Sequence, residues 1–123
     1  MPLYLTDAEV DQLITMQDAI ESVEVGFEAM SNGEAANLPR QRLRLPTGVF
    51  NIMSAAIPAI GVMGLKAYGV VKGRPTFHIQ LSSTKTGGLL AIIAASRLGR
   101  LRTGAASGVA TKYMARDVPS IIG

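Results

Sequence analysis

Three arginines, Arg40, Arg42 and Arg44, alternate with Gln41, Leu43 and Leu45 just after Pro39. A period of two is the period of a β-strand, so the three guanidinium groups share one face. Guanidinium forks on a strand match the geometry of a carboxylate or phosphate, although the same row also serves as a solvated surface that discourages edge aggregation. Lys66 is the second candidate. It is the one charge in the apolar, glycine-dotted run from Gly61 to Val71, where it either snorkels to an edge or lies in a pocket. In a pocket, desolvation and nearby arginines both lower its pKa and suit it to proton transfer or anion binding. The third candidate is Arg102-Thr103-Gly104-Ala105-Ala106-Ser107-Gly108. Small residues after an Arg-Thr pair let the backbone approach a ligand and open a helix, whose N-terminus offers free N–H groups to an anion. Close packing of that helix on a sheet accounts for the same Ala and Gly content. His78, the single histidine, has no Ser, Cys or carboxylate near it in sequence and reads as a sheet histidine with a satisfied ring. Lys72-Gly73-Arg74 reads as a basic turn, because the spacing of a phosphate loop is absent.

The distribution of charge favours an anionic ligand. Eight of the nine Asp and Glu lie within residues 1–34, and all twelve Lys and Arg lie between Arg40 and Arg116. The middle of the chain therefore has no carboxylate to act as general base, metal ligand or counter-ion. With no Cys and one His, disulfides and thiolate chemistry are excluded, no metal site is expected, and a reducing cytoplasm fits. The start, Met-Pro-Leu-Tyr-Leu-Thr-Asp, lacks the basic region of a signal peptide, and the longest apolar run, Gly87 to Ser96, is too short to span a bilayer. No membrane role is expected. Nucleic acid is not an expected partner either, since the three Tyr and three Phe are scattered rather than arranged as a stacking platform.

A chain of 123 residues is long enough for one domain with a true core. Thr6 and Glu9 have the form of a capping box before a short helix through Val10, Leu13 and Ile14. Thr15 opens a second helix whose Ile20, Val23, Phe27 and Met30 face inward and whose Glu21, Glu24 and Glu28 face water, ending at Asn32-Gly33. After the arginine strand, further strands are predicted over Val49–Ala55, Val62–Val71, Thr76–Ser82 and Leu89–Ala95, the last two joined by Thr84–Gly88. Ser96 caps a short helix over Arg97–Leu101, and a longer helix runs from about Gly104 to Ala115 with Ala106, Val109, Ala110 and Tyr113 inward. Asp117-Val118-Pro119 ends it, and a new strand starts at Ser120. The order is helices, a meander of about five to six strands, then helix, an α+β arrangement.

Leu38-Pro-Arg-Gln-Arg-Leu-Arg, Gly64-Leu-Lys-Ala-Tyr, Thr86-Gly-Gly-Leu-Leu-Ala and Arg102-Thr-Gly-Ala-Ala-Ser-Gly-Val-Ala-Thr together resemble the ornithine cyclodeaminase/mu-crystallin family. The order and rough spacing match over nearly the whole chain, and the arginine-threonine stretch is the most specific piece. The resemblance implies an α+β substrate domain over residues 1–119, whose sheet pairs with that of a second subunit into a closed barrel in a homodimer. It also implies a following Rossmann domain that binds NAD or NADP, whose first strand begins at residues 120–123. The family moves hydride between nicotinamide and the carbon bearing the nitrogen of an amino or imino acid. By similarity Arg42, Lys66 and Arg102 hold the substrate carboxylate, Lys66 also transfers a proton, Thr76 offers the substrate a hydrogen bond, and Thr103 touches the dinucleotide. The acid expected near Met53 in ornithine-using members is replaced by Ile-Met-Ser, which favours alanine dehydrogenation or cyclic imine reduction over ornithine. The family's catalytic aspartate belongs to the Rossmann domain, so these 123 residues alone are expected to be inactive. The other reading is a non-catalytic dimeric module that binds an anionic small molecule, in the manner of mu-crystallin.

Overall fold

The computed structural model describes residues 1–118, 120 and 121. A strand β1 (Leu3–Leu5) leads into helices α1 (Asp7–Leu13) and α2 (Met16–Ser31). Strands β2 (Ala36–Asn37), β3 (Gln41–Leu45), β4 (Gly48–Ile57), β5 (Val62–Val71), β6 (Arg74–Ser83) and β7 (Leu89–Ala94) follow, and helix α3 (Ser96–Met114) closes the order. Within this one chain the sheet is open, in the order β1-β7-β6-β5-β4-β2, with β3 also paired to β4.

Local chemistry accounts for most boundaries. Thr6 and Glu9 form the expected capping box, and Thr15 with Asp18 forms a second one. In each box the threonine holds the carboxylate below its ordinary pKa: backbone first at Glu9, hydroxyl first at Asp18. Asn32 caps α2, and Gly33 takes the left-handed conformation (φ 73°) that releases the chain. The β5–β6 hairpin turns on Lys72 and Gly73, both at positive φ, as a tight two-residue turn requires. The five-strand antiparallel meander β3 to β7 is as the alternating pattern predicts.

Three expectations are corrected. First, β1 and β2 add two strands that no pattern announced. They are two or three residues long and owe their conformation to their partners, β1 running parallel to β7 and β2 pairing with Ala55 and Ala56 of β4. Second, the two predicted C-terminal helices are one. Ser96 is not the cap: Ala95 holds that position without a side-chain bond, and the Arg97 N–H donates to the Asp7 carboxylate of α1 at 2.7 Å. Gly104 does not interrupt the helix because it lies against α2, where an added Cβ would meet Met16 Cε at 3.1 Å. One turn on, Gly108 meets Ile20 in the same way. Third, the buried stripe of α3 is Leu101, Ala105 and Val109, while Ala110 and Tyr113 are exposed. On α2 the buried positions are Ala19 and Ala29; Phe27 and Met30 remain about half exposed. The strand expected from Ser120 falls partly outside the described residues.

All three helices cover one face of the sheet. Val10, Ala91 and Ile93 form one core with Ile79, Leu81 and Leu98 around it, and Ala19, Leu101 and Ala105 form a second between α2 and α3. Because cross-strand partners share a face, the register puts Asn51, Met53, Lys66, Tyr68 and Phe77 on this covered side with Ile79. The opposite side carries Leu43, Ile52, Leu65, Ala67 and His78, with no helix over it among the described residues. Replacing Asp7 by alanine should cost about 1 kcal/mol, the usual worth of a helix cap, and a smaller change in thermal denaturation would mean that water caps α3 equally well.

Candidate functional site

Lys66 sits near the middle of β5, opposite Met53 on β4 and Ile79 on β6, beneath the first half of α3. Gly99 stands over it, and a Cβ at that position would lie in ordinary contact, 4.0 Å from the Lys66 Nζ. The ammonium stands 5.3 Å from the Tyr68 ring centroid and 5.1 Å from that of Phe77, and the two rings stack at 5.4 Å. Aromatic faces attract a cation and hold this one at a fixed place on the sheet. Burial and two cations work against it: burial first, then Arg102, then Arg40, push the Lys66 pKa below its ordinary 10.5.

The arginine row lies on the same face. Arg42 faces Asn51 across β3–β4, and its Nε donates to the Asn51 Oδ1 at 2.9 Å. Asn51 is 1% exposed, so this bond aims the guanidinium from a rigid base while leaving its terminal nitrogens for another partner. Arg40, just before β3, lies 5.8 Å from the Tyr68 ring centroid. It is the cation of the row that acts on Lys66, and sequence reasoning missed it in favour of Arg42. The signal was present in the period-two row, which could not say which member reaches the centre. Tyr68 and Phe77 were missed as well, although Tyr68 follows Lys66 by the two residues that share a strand face.

Arg102 and Thr103 lie inside α3, not at its start, which overturns the idea that this stretch opens a helix toward an anion. The small residues after it serve α2–α3 packing. Arg102 nevertheless lines a cleft of about 400 Å³ together with Lys66, Phe77, Gly99 and Thr103. It also lines an adjoining cavity of about 350 Å³ that reaches Met53 and Ile79. The Thr103 hydroxyl donates to the Gly99 carbonyl at 2.8 Å, which leaves it free only to accept. Thr76 pairs with Gly69, three positions along β6 from the partner of Lys66, and so projects from the opposite face. It is not brought to the site. His78 shares that opposite face. Among the described residues, no three metal-ligating side chains cluster and no helix is long and apolar enough to cross a membrane.

Lysine, arginines and a cleft without carboxylates among its lining residues are what a small carboxylate requires. The model of the ornithine cyclodeaminase/mu-crystallin family matches residues 2–123. The chain belongs to the ornithine cyclodeaminase/mu-crystallin family. An alanine dehydrogenase of Archaeoglobus fulgidus is 36% identical over 98% of this chain and 39% of its own length. Among solved structures, a probable ornithine cyclodeaminase from Bordetella pertussis Tohama I superposes with a TM-score of 0.90 at 34% identity, covering 94% of this chain and 37% of that one. The Thermococcus litoralis Delta(1)-pyrroline-2-carboxylate reductase, in complex with NADH and L-proline, gives 0.85 at 33% identity over 93% and 38%. The chain thus spans about two-fifths of the length of these family members. Solved members of the family hold NAD or NADH.

The lowered Lys66 pKa has a consequence for stability. Between the depressed native value and 10.5 the unfolded chain binds more protons, so stability rises with pH across that window. Below the native value the lysine is charged in both states, and its destabilising effect is fully present. Lys66→Met should remove the alkaline rise and stabilise the chain at neutral pH, as urea midpoints at several pH values would reveal. An unchanged pH profile in the variant would mean that solvent screens Lys66 from its neighbours.

Proposed function

We propose that this chain is the substrate-binding, dimer-forming portion of an NAD(P)-dependent oxidoreductase or cyclodeaminase of amino or imino acids. Residues 1–119 form the substrate domain, and residues 120–123 lead into a dinucleotide-binding domain. The observation that carries the reading is the convergence of Lys66 and Arg102 on one cleft lined by no carboxylate. Arg42, Lys66 and Arg102 clamp the substrate carboxylate through charge-assisted hydrogen bonds, and Arg40 adds positive potential at the same place. Its pKa, lowered by burial and the neighbouring arginines, suits Lys66 to take a proton from the substrate amine and return it.

The residues present fit the edge of a nicotinamide site. Thr103 shares the cleft with Lys66, and its hydroxyl, already donating to Gly99, accepts from an amide N–H such as that of a carboxamide. When bound, the nicotinamide supplies or accepts the hydride at the carbon bearing the nitrogen. The chain's own residues fix the carboxylate, handle the amine proton and wall the cleft with Phe77 and the small faces of Gly99 and Gly104. Met53 and its apolar neighbours line the adjoining cavity with no acid to meet a second amine, which favours alanine- or cyclic-imine-type substrates over ornithine. The helix-free sheet face, with Leu43 62% exposed, is the surface that a second subunit covers in the proposed barrel. The absence of cysteine suits a cytoplasmic setting.

The test is a titration followed by NMR of the lysine and arginine side chains, with L-proline set against its methyl ester. Shifts at Lys66 and Arg102 with the acid, and none with the ester, are expected. Equal response to both compounds would remove the carboxylate clamp.

A further inference from the structure

Arg102 stands at a junction. On one side is the polar cleft with Thr103; on the other, the cavity beside Met53 continues into a second hollow of about 260 Å³ between α2 and the end of β4. The two cavities share Asn37, Ala55, Ile57 and Arg102 in their walls. The hollow is otherwise walled by Val23, Phe27 and Met30 of α2, Ala106 of α3, and the backbone near Ala35, with no Asp or Glu among its lining residues. Phe27 and Met30 are the α2 residues that the helical period placed inward and that stay about half exposed. They line this hollow instead of filling the core. Gly26 stands beside them, and a Cβ added there meets no atom within 4 Å, so the space is open from the helix side as well.

From these walls we infer that the hollow between α2 and β4 is a side-chain subsite for substrates bearing an uncharged hydrocarbon chain longer than a methyl group. The inference rests on the proposed carboxylate clamp and deepens it. A carboxylate held by Lys66 and Arg102 leaves one direction toward Thr103, where the reacting carbon and its nitrogen belong, and one direction past Arg102 into the apolar walls. A charged chain end there would lose its hydration with no partner, whereas each methylene leaves water for an apolar surface. Phe27 and Met30, at the far end from Lys66, set the length that fits.

The test uses the chain itself and straight-chain carboxylates as probes: acetate, butyrate and hexanoate, with hexylamine as the cationic control. Affinities come from NMR titration. Affinity should increase about fourfold for each added methylene until the hollow is full, and hexylamine should not compete. Gly26→Leu, whose side chain grows into the open space, should collapse the ratio of hexanoate to acetate affinity toward unity. Ala106→Leu fills the same hollow from α3 and serves if the first variant folds poorly. No acetate or butyrate binding at all would overturn the clamp on which the subsite depends. Binding of acetate with no gain for longer chains would overturn the subsite alone, as would a gain that survives both filled variants.

Discussion

Arg102→Ala, in a protein that also carries the dinucleotide domain, should lower kcat/KM by about thirtyfold to a thousandfold. That range corresponds to about 2–4 kcal/mol for deleting one partner of a hydrogen-bonded charge pair. Among the described residues, Arg102 alone lines the polar cleft, the central cavity and the apolar hollow together; Arg100 shares the polar cleft but neither of the other two. Arg102→Lys keeps the charge but loses the planar fork, and should fall between the two. The comparison with Arg42→Ala is informative because Arg42 is anchored by Asn51 and Arg102 is not. If substrate aligns the clamp, Arg42 is already aligned and its loss should show mainly in binding. An Arg102→Ala enzyme with unchanged kcat/KM would take that residue out of the site and leave Arg40, Arg42 and Lys66 to hold the carboxylate.

The second large effect is on stability. Gly64 lies two positions before Lys66 on β5, and a Cβ there would stand 2.4 Å from the backbone oxygen of Gln80 on β6. A contact that short cannot be relieved by rotating a side chain, because the obstacle is the neighbouring strand. Gly64→Ala should therefore destabilise the chain by about 3 kcal/mol, which lowers Tm by roughly 10–15 °C for a domain of this size. Gly69 is the internal control. It lies five residues along the same strand, and its added Cβ would meet a Phe50 side-chain carbon at 3.7 Å and the Val49 carbonyl oxygen at 3.9 Å, both ordinary contacts. Gly69→Ala should be neutral or stabilising by a few tenths of a kcal/mol, since alanine has less backbone freedom to lose. Equal melting temperatures for the two variants would mean that β5 and β6 separate at no cost.

The parts of the fold that follow from local rules were legible. Capping boxes, period-two strands and glycine turns each involve residues a few positions apart, and their outcome does not depend on the rest of the chain. What was illegible depends on partners distant in sequence. Leu3–Leu5 becomes a strand because β7 offers it a free edge. The start of α3 is capped by Asp7 across the fold, so Ser96 looked like a cap and is not one. On α3 Val109 is inward as the hydropathy reading has it, but Leu101 and Ala105 are buried beside it and Ala110 and Tyr113 are not, because Gly104 and Gly108 let Met16 and Ile20 of α2 approach from a side that hydropathy marks as empty. At the site, Lys66 and Arg102 were legible as isolated charges among small and apolar residues. Arg40 was not singled out from its row, since a period of two cannot say which arginine comes nearest the lysine; its guanidinium lies 5.8 Å from the Tyr68 ring centroid. The family resemblance supplied Thr76 as a hydrogen-bonding residue, and strand alternation places it on the face opposite Lys66 in this chain.

The segregation of acids to the start of the chain and bases to its remainder has a temporal meaning. The polar ties between the two are Asp7 to Arg97, Asp11 to Arg97, and Glu24 to Lys112 with Tyr113, joining residues 90, 86, 88 and 89 positions apart. Tyr113 first, then Lys112, holds the Glu24 carboxyl below its ordinary pKa. Strand β1 likewise waits for β7. During synthesis, the first two helices therefore emerge with a common negative charge well before α3, which carries their partners Arg97, Lys112 and Tyr113. Like charge keeps them apart from one another and from early aggregation, until α3 arrives and pairs with both. Helix α3 is thus the one that commits the first two to the fold.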